Sequence, residues 1–284
     1  MLKHRVISSA FILVALFAAA IWMPVRGLIA ILAIIGMLAA AEFGAFFSAA
    51  KIPQCRWVGV VGSAGLILVT GWGLLWGGSG LAAEFELLWL LAVTISTALT
   101  VMFRDVDRPL IAVSTTIGTV LYAPFLLNFM TKLLLGFRGG GVDGDGRGLV
   151  LYMILVVKTT DIVAFFVGSS IGRHKVFPRI SPAKSWEGCL GGVIAATGVS
   201  ALTCWLADGK LGVLHLSMAH AVVLGVLLSI TGIVGDLIES MFKRAAKIKD
   251  SGAWILGLGG LLDVIDSLIL AAPVFYLYCR WIVY

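Results

Sequence analysis

Four carboxylates written into two apolar stretches constrain this chain more than any other feature. Asp236 and Glu239 stand three residues apart in one stretch, and Asp263 and Asp266 three apart in the next. A carboxylate at the centre of a membrane helix costs about 2.5–3.5 kcal/mol on insertion scales. Four left uncompensated would cost on the order of 10 kcal/mol, comparable to the net stability of a whole domain. A fold that buries them must bring positive charge among them. A divalent metal, nearby lysines and arginines, or a phosphate group bridged by metal would serve.

The apolar context is that of a membrane. Hydrophobic residues make up 60% of the 284 positions and charged residues 13%, against about 25% charged in a typical soluble domain. A spanning helix needs roughly 20 mostly apolar residues. Nine segments qualify, near 6–25, 27–49, 57–76, 85–103, 110–135, 148–171, 187–206, 219–242 and 259–283. The expected fold class is therefore all-α and polytopic. Residues 1–147 would supply structural helices facing lipid or a second copy, and residues 148–284 the chemistry. The first apolar run continues to Trp22 and a second span follows at once, so it reads as a retained helix rather than a cleaved signal.

Positive residues predict the orientation. With the N-terminus inside, fourteen Lys and Arg fall in inside loops and six in outside loops, and Lys158 within a span completes the 21. The prediction is N-in and C-out, with the loop between the last two spans in the cytoplasm. The net charge of +6 needs no further explanation. Nucleic-acid binding would call for a basic soluble module, and none is written here. Cys55, Cys189, Cys204 and Cys279 lack metal or redox spacing and read as packing residues.

The first half carries little chemistry. Glu42 reads as the one buried-looking charge of the first four spans, either near the end of its span or paired with another helix, with a local structural role. Residues 77–80 and 139–148 are glycine-rich and predict flexible outside loops. Asp143 and Asp145 resemble part of a calcium loop, but the closing glutamate is missing. From Lys158 onward the polar content rises. Lys158 and Asp161 are three apart, share a helix face and can pair. The loop that follows holds Arg173, His174, Lys175, Arg179 and Lys184. Ser181, Lys184 and Ser185 can donate to phosphate oxygens, and the helix opening near Glu187 offers its N-terminus to anions. His174 has no second histidine near it and reads as an exposed loop residue.

Each acidic pair projects from a single helix face. Two such faces turned together would make an oxygen-rich cage suited to magnesium. A proton or cation pathway is the competing reading. The charges gather at the cytoplasmic ends of the spans, however, beside Lys243, Arg244, Lys247 and Lys249. Acidic cage and basic loop together are the inventory of metal-assisted phosphoryl or nucleotidyl transfer.

The run Ser240-x-x-Lys243-Arg244, Lys249-Asp250-Ser251-Gly252, Gly259-Gly260 and Asp263-x-x-Asp266-Ser267 resembles the C-terminal signature of the phosphatidate cytidylyltransferase family. Ser181-Pro182-x-Lys184-Ser185-Trp186-Glu187-Gly188 looks like that family's second block, and Asp161 matches the acid just upstream. The resemblance covers roughly residues 155–270. It implies that phosphatidate attacks the α-phosphorus of CTP, giving CDP-diacylglycerol and pyrophosphate. It implies Mg2+ on Asp236 and Asp263, with Asp266 completing the acidic site. Lys243, Arg244 and Lys249 would bind nucleotide phosphates, and Asp250, Ser251 and Ser240 would position loop or nucleotide. Asp161, Ser181, Lys184 and Glu187 would bind substrate from the opposite wall. A homodimer in the bacterial inner membrane, its site facing the cytoplasm, is also implied.

The chain departs from the family at several positions. Leu256-Gly257-Leu258-Gly259-Gly260 stands where the family usually reads Pro-Gly-His-Gly-Gly, and Asp263-Val264-Ile265-Asp266 where it reads Asp-Arg-x-Asp. Ala253 replaces a common asparagine, and Lys158 an apolar residue. Lys158 could restore one positive charge. The alternatives are a CTP-dependent kinase acting on another lipid such as a polyprenol, a non-catalytic relative that binds lipid, and a transporter.

Overall fold

The computed structural model describes residues 18–104, 106–137, 146–248, 251–252 and 259–283. Among them are eight helices long and apolar enough to cross a membrane. They match the last eight predicted spans. Of the first, 6–25, only the end is described, and residues 18–22 are helical. The expected all-α polytopic membrane fold is what the chain adopts.

The chain packs as two compact units: residues 1–136 with 242–265, and residues 137–241 with 266–284. A division at residue 147 is a continuous one, whereas these units interleave along the chain. The last two long helices each contribute to both.

In the first unit, α1 (Val25–Ala49), α2 (Arg56–Trp76), α3 (Gly78–Arg104) and α4 (Pro109–Val120) pack around α2. Leu66, Val93 and Val120 form its buried centre. Gly62 leaves room for Val93, and Trp89 donates its indole N–H to the Gly62 carbonyl at 2.8 Å. The predicted span 110–135 is not one regular helix. A π-helical turn, Leu121–Phe125, follows α4, and α5 resumes at Phe129–Leu135. Pro124 lies in that turn and lacks the N–H an α-helix needs, which is a usual cause of such a break.

Two expectations for this unit are corrected. Residues 77–80 are not a flexible loop, because α3 begins at Gly78; a positive φ of 74° there makes the turn that only glycine enters freely. Hydropathy alone placed the span at 85 because its first two turns are polar and glycine-rich. Nor is Glu42 the one buried charge of the early spans, for Glu86 is buried too. Its oxygens accept from Lys132 Nζ at 2.8 Å, Asn128 Nδ2 at 2.9 Å and Thr70 Oγ1 at 2.9 Å.

In the second unit, α6 (Arg147–Ile171) packs along α7 (Trp186–Leu206). Between them lies a short antiparallel hairpin, β1 (Lys175–Phe177) and β2 (Ser181–Ser185), which an all-helical reading did not foresee. A smaller one, β3 (Lys210–Leu211) and β4 (Leu214–His215), leads into α8 (Met218–Ala245). The last long helix, α9 (Leu262–Tyr278), ends in a π-helical turn, Cys279–Val283. Small residues let these helices approach: a Cβ on Gly192 would lie 2.8 Å from the Thr160 carbonyl, and one on Gly225 2.6 Å from Thr197 Cα.

The outer surface is apolar, as lipid requires. Leu87, Leu88, Phe103, Phe165, Phe166 and Ile194 are all more than half exposed. Trp57, Trp76, Trp186, Trp205 and Trp281 are exposed near helix ends, where an aromatic belt would meet the headgroups. All four cysteines are free thiols.

Candidate functional site

In the second unit three carboxylates converge. Asp236, Glu239 and Asp266 each offer an oxygen, and the three oxygens lie within 4.8 Å of one another. Glu239 and Asp266 are buried and Asp236 half-buried. Helical periodicity brings Asp236 and Glu239 to one face of α8. Gly235 does the rest, since its missing side chain leaves the α9 backbone in place; a Cβ there would lie 2.6 Å from the Asp266 carbonyl.

Two lysines flank the cluster. Lys184, on β2, lies 2.8 Å from Asp236 Oδ2 and also donates to the Ile233 carbonyl at 3.1 Å. Lys158, on α6, lies 3.0 Å from Asp161 Oδ2 and 2.9 Å from Ser267 Oγ. Ser267 Oγ donates in turn to Asp161 at 2.9 Å. The expected Lys158–Asp161 pair is therefore made. Ser240 donates to Asp236 Oδ1 at 3.2 Å, one helical turn on.

The hairpin that carries Lys184 is itself held. Glu187 accepts from the backbone N–H groups of Arg173 and His174 at 3.2 Å each and lies 2.6 Å from His174 Nδ1. Ser185 caps α7, accepting from Gly188 N at 3.2 Å. His174 is exposed, as expected, with a structural partner that was not foreseen. Ser181 opens β2.

A second constellation lies in the first unit. Asp263 Oδ1 accepts from Lys243 Nζ at 2.6 Å. Its Oδ2 accepts from Ser251 Oγ and Gly260 N at 2.8 Å each, and from Ser251 N at 3.1 Å. Glu42 joins from α1, accepting from Leu261 N at 2.9 Å, Leu262 N at 2.7 Å and Ser251 Oγ at 3.2 Å. Arg244 is exposed near the end of α8. Lys249 and Asp250, and the calcium-like Asp143 and Asp145, lie outside the described residues.

Of the expected site residues, the second unit thus assembles Asp161, Lys184, Asp236, Ser240 and Asp266 with Lys158. The first unit assembles Lys243, Ser251 and Asp263. Asp236 and Asp263, the pair expected to hold metal, belong to different units. Three participants were given no site role by sequence reasoning. Glu239 was counted in the acidic cage but not among the ligands. Ser267 was quoted only as part of a motif. Glu42 was read as a structural residue, at a span end or paired with another helix, though an acid in an otherwise apolar span was the available signal.

A polytopic bundle whose buried acids stand close enough to hold a cation defines a membrane protein built around a charged site. Residues 3–282 match the cytidylyltransferase family, and the chain belongs to it. Among curated proteins, the uncharacterized YnbB of Escherichia coli K12 is 37% identical over 171 residues, which is 60% of this chain and 52% of that one. The phosphatidate cytidylyltransferase of Haemophilus influenzae is 40% identical over 134 residues, 47% of this chain and 46% of its own. That of Pseudomonas aeruginosa is 44% identical over 129 residues, 45% and 46%. The chain spans about half the length of the curated relatives it matches.

Proposed function

We propose that this protein is a CTP:phosphatidate cytidylyltransferase. A phosphate oxygen of phosphatidate bonds to the α-phosphorus of CTP. The α–β phosphoanhydride bond breaks, and pyrophosphate leaves with the bonding electrons. The observation that carries the reading is the approach of Asp236, Glu239 and Asp266 within one unit, beside two lysines. Family membership and the names of the relatives support it.

The donor set is all oxygen, which fits a hard divalent cation such as Mg2+. Asp236, Glu239 and Asp266 would hold it, and Asp263 would act as a further carboxylate in the reaction. When bound, such a cation neutralises charge on the transferring phosphate and its leaving group. Lys184 orients Asp236 through its ion pair, and Lys158 with Ser267 orients Asp161. Lys243, Arg244 and Lys249 contact nucleotide phosphates. Phosphatidate is already anionic, so the chain supplies positioning and charge rather than a strong base. The enzyme would work as a homodimer in the inner membrane, with its basic loops and site on the cytoplasmic side.

The test is transfer of label from CTP into lipid by purified protein in phosphatidate micelles, with and without Mg2+. Label should enter the lipid phase with phosphatidate and not with polyprenol, and should be lost in Asp266→Asn and Asp263→Ala. Folded wild-type protein that moves no label with phosphatidate would sink the reading, and transfer only with polyprenol would replace the acceptor.

A further inference from the structure

We infer that Glu42, from the N-terminal half of the chain, is a positioning residue for the transfer reaction. It anchors the segment that presents Asp263, and this role rests on the function proposed above. Helix α9 begins at Leu262, and the first turn of any helix has backbone N–H groups without intrahelical acceptors. Such groups are ordinarily met by a Ser, Thr, Asp or Asn just before the helix. Here the preceding residue is Leu261, whose side chain accepts nothing. Glu42 takes that place from 219 and 220 residues away, with Oε1 on Leu261 N and Oε2 on Leu262 N.

The same carboxylate reaches further. Its Oε2 lies 3.2 Å from Ser251 Oγ, whose hydroxyl is also 2.8 Å from Asp263 Oδ2. A hydroxyl has one proton, so Glu42 and Asp263 share a single donor. Successive N–H groups are then divided between the two acids, Gly260 to Asp263 and Leu261 and Leu262 to Glu42. Glu42 is 4% exposed, so little water stands ready to replace it. Gly260 leaves the space this needs, for a Cβ there would fall on Ser251 Oγ and Glu42 Oε2. Beside it, Phe43 packs tilted against Tyr122 and edge-to-face against Phe242, with ring centroids 4.7 and 5.2 Å away. A carboxylate with this set of partners sets the direction of Asp263 rather than merely filling a gap in a span.

Full-length protein in micelles should be compared as wild type, Glu42→Ala, Glu42→Gln, Glu42→Asp and Glu86→Gln. Glu86 is the other buried glutamate among the described residues of the same unit, and its carboxylate accepts from Thr70, Asn128 and Lys132. Amide exchange at Leu261 and Leu262 should quicken about tenfold or more in Glu42→Ala, as expected for lost charge-assisted hydrogen bonds. It should quicken less in Glu42→Gln, which keeps one accepting oxygen. The turnover number should fall about a hundredfold in Glu42→Ala, the scale of a misplaced reacting group. KM for CTP should change little, and Glu42→Asp should restore part of the rate. Glu86→Gln should lower thermal stability while leaving turnover and these two amides alone. Unchanged exchange at Leu261 and Leu262 would overturn the anchor. Faster exchange with full turnover would overturn the positioning role, as would an equal rate loss in Glu86→Gln. Wild-type protein without transfer activity would count against the function proposed above, while the exchange arm still decides whether Glu42 is the anchor.

Discussion

Replacing Lys158 by methionine isolates the contribution of one charge beside the acid cluster. Methionine keeps the length and apolar stem of lysine, and it restores the apolar character usual in the resembled family. The ammonium lies 3.0 Å from Asp161 Oδ2. Two unit charges at that distance attract by about 5.5 kcal/mol at an effective dielectric of ~20. Removing one partner of a buried pair costs about 3–5 kcal/mol, because the other is left uncompensated. The Asp161 side chain is 30% exposed, so water recovers part of this, and a net loss of about 1–3 kcal/mol remains. Ser267 also loses a donor, and its hydroxyl keeps only Asp161. The assay is thermal unfolding in detergent together with cytidylyl transfer. Lys158→Met should unfold at lower temperature and turn over more slowly. The double variant Lys158→Met/Asp161→Asn should recover stability relative to Lys158→Met alone, because the stranded charge has gone with its partner. A single variant as stable and as active as wild type, or a double variant less stable than the single, would refute the electrostatic reasoning.

Asp266→Asn and Asp236→Asn should each lower transfer by at least about a hundredfold, the scale of lost electrostatic stabilisation at a transferring group, measured in the same label assay at saturating CTP. Gly235→Ala places a methyl 2.6 Å from the Asp266 backbone carbonyl and should cost about 1–3 kcal/mol of stability along with activity, seen as lower unfolding temperature and turnover. Lys132→Met strands Glu86 and should destabilise the protein by up to about 3–5 kcal/mol; turnover per folded molecule should persist, and adding Glu86→Gln should restore the unfolding temperature.

What the sequence made legible is what short range carries. Eight spans were found by length and hydropathy, and the pairing of Lys158 with Asp161 by a spacing of three. The shared face of Asp236 and Glu239 came from the same rule. The break at Pro124 was available in principle, since proline inside an apolar run warns of one. Contacts between distant segments leave no such trace. Nothing local to Lys184 says that its ammonium meets an acid 52 positions on, and nothing local to Glu42 points to Leu261. Glu86 escaped notice because its partners Thr70, Asn128 and Lys132 come from two other segments. The β1–β2 hairpin escaped because its strands are three and five residues long and charged, where the pattern of a strand has no room to show.

The buried acids sort themselves by where their compensation comes from. Glu86 receives a lysine, an amide and a hydroxyl from its own unit, and this suffices for a structural role. Glu42 and Asp263 are surrounded by donors of the segment they organise. Asp236, Glu239 and Asp266 are different in kind, because they face one another. At 4.8 Å or less, each ionised pair repels by at least about 3.5 kcal/mol at a dielectric of ~20, or about 10 kcal/mol over three pairs. Lys184, 2.8 Å from Asp236, returns about 6 kcal/mol of attraction on the same footing. Lys158 also flanks the cluster, and a divalent cation among the three carboxylates would offset the repulsion that the protein's own charges leave. Gly235 brings Asp266 up to Asp236 and Glu239 when a side chain there would have held it away. Close approach of like charges, enforced by the backbone itself, serves binding of an opposite charge better than it serves folding.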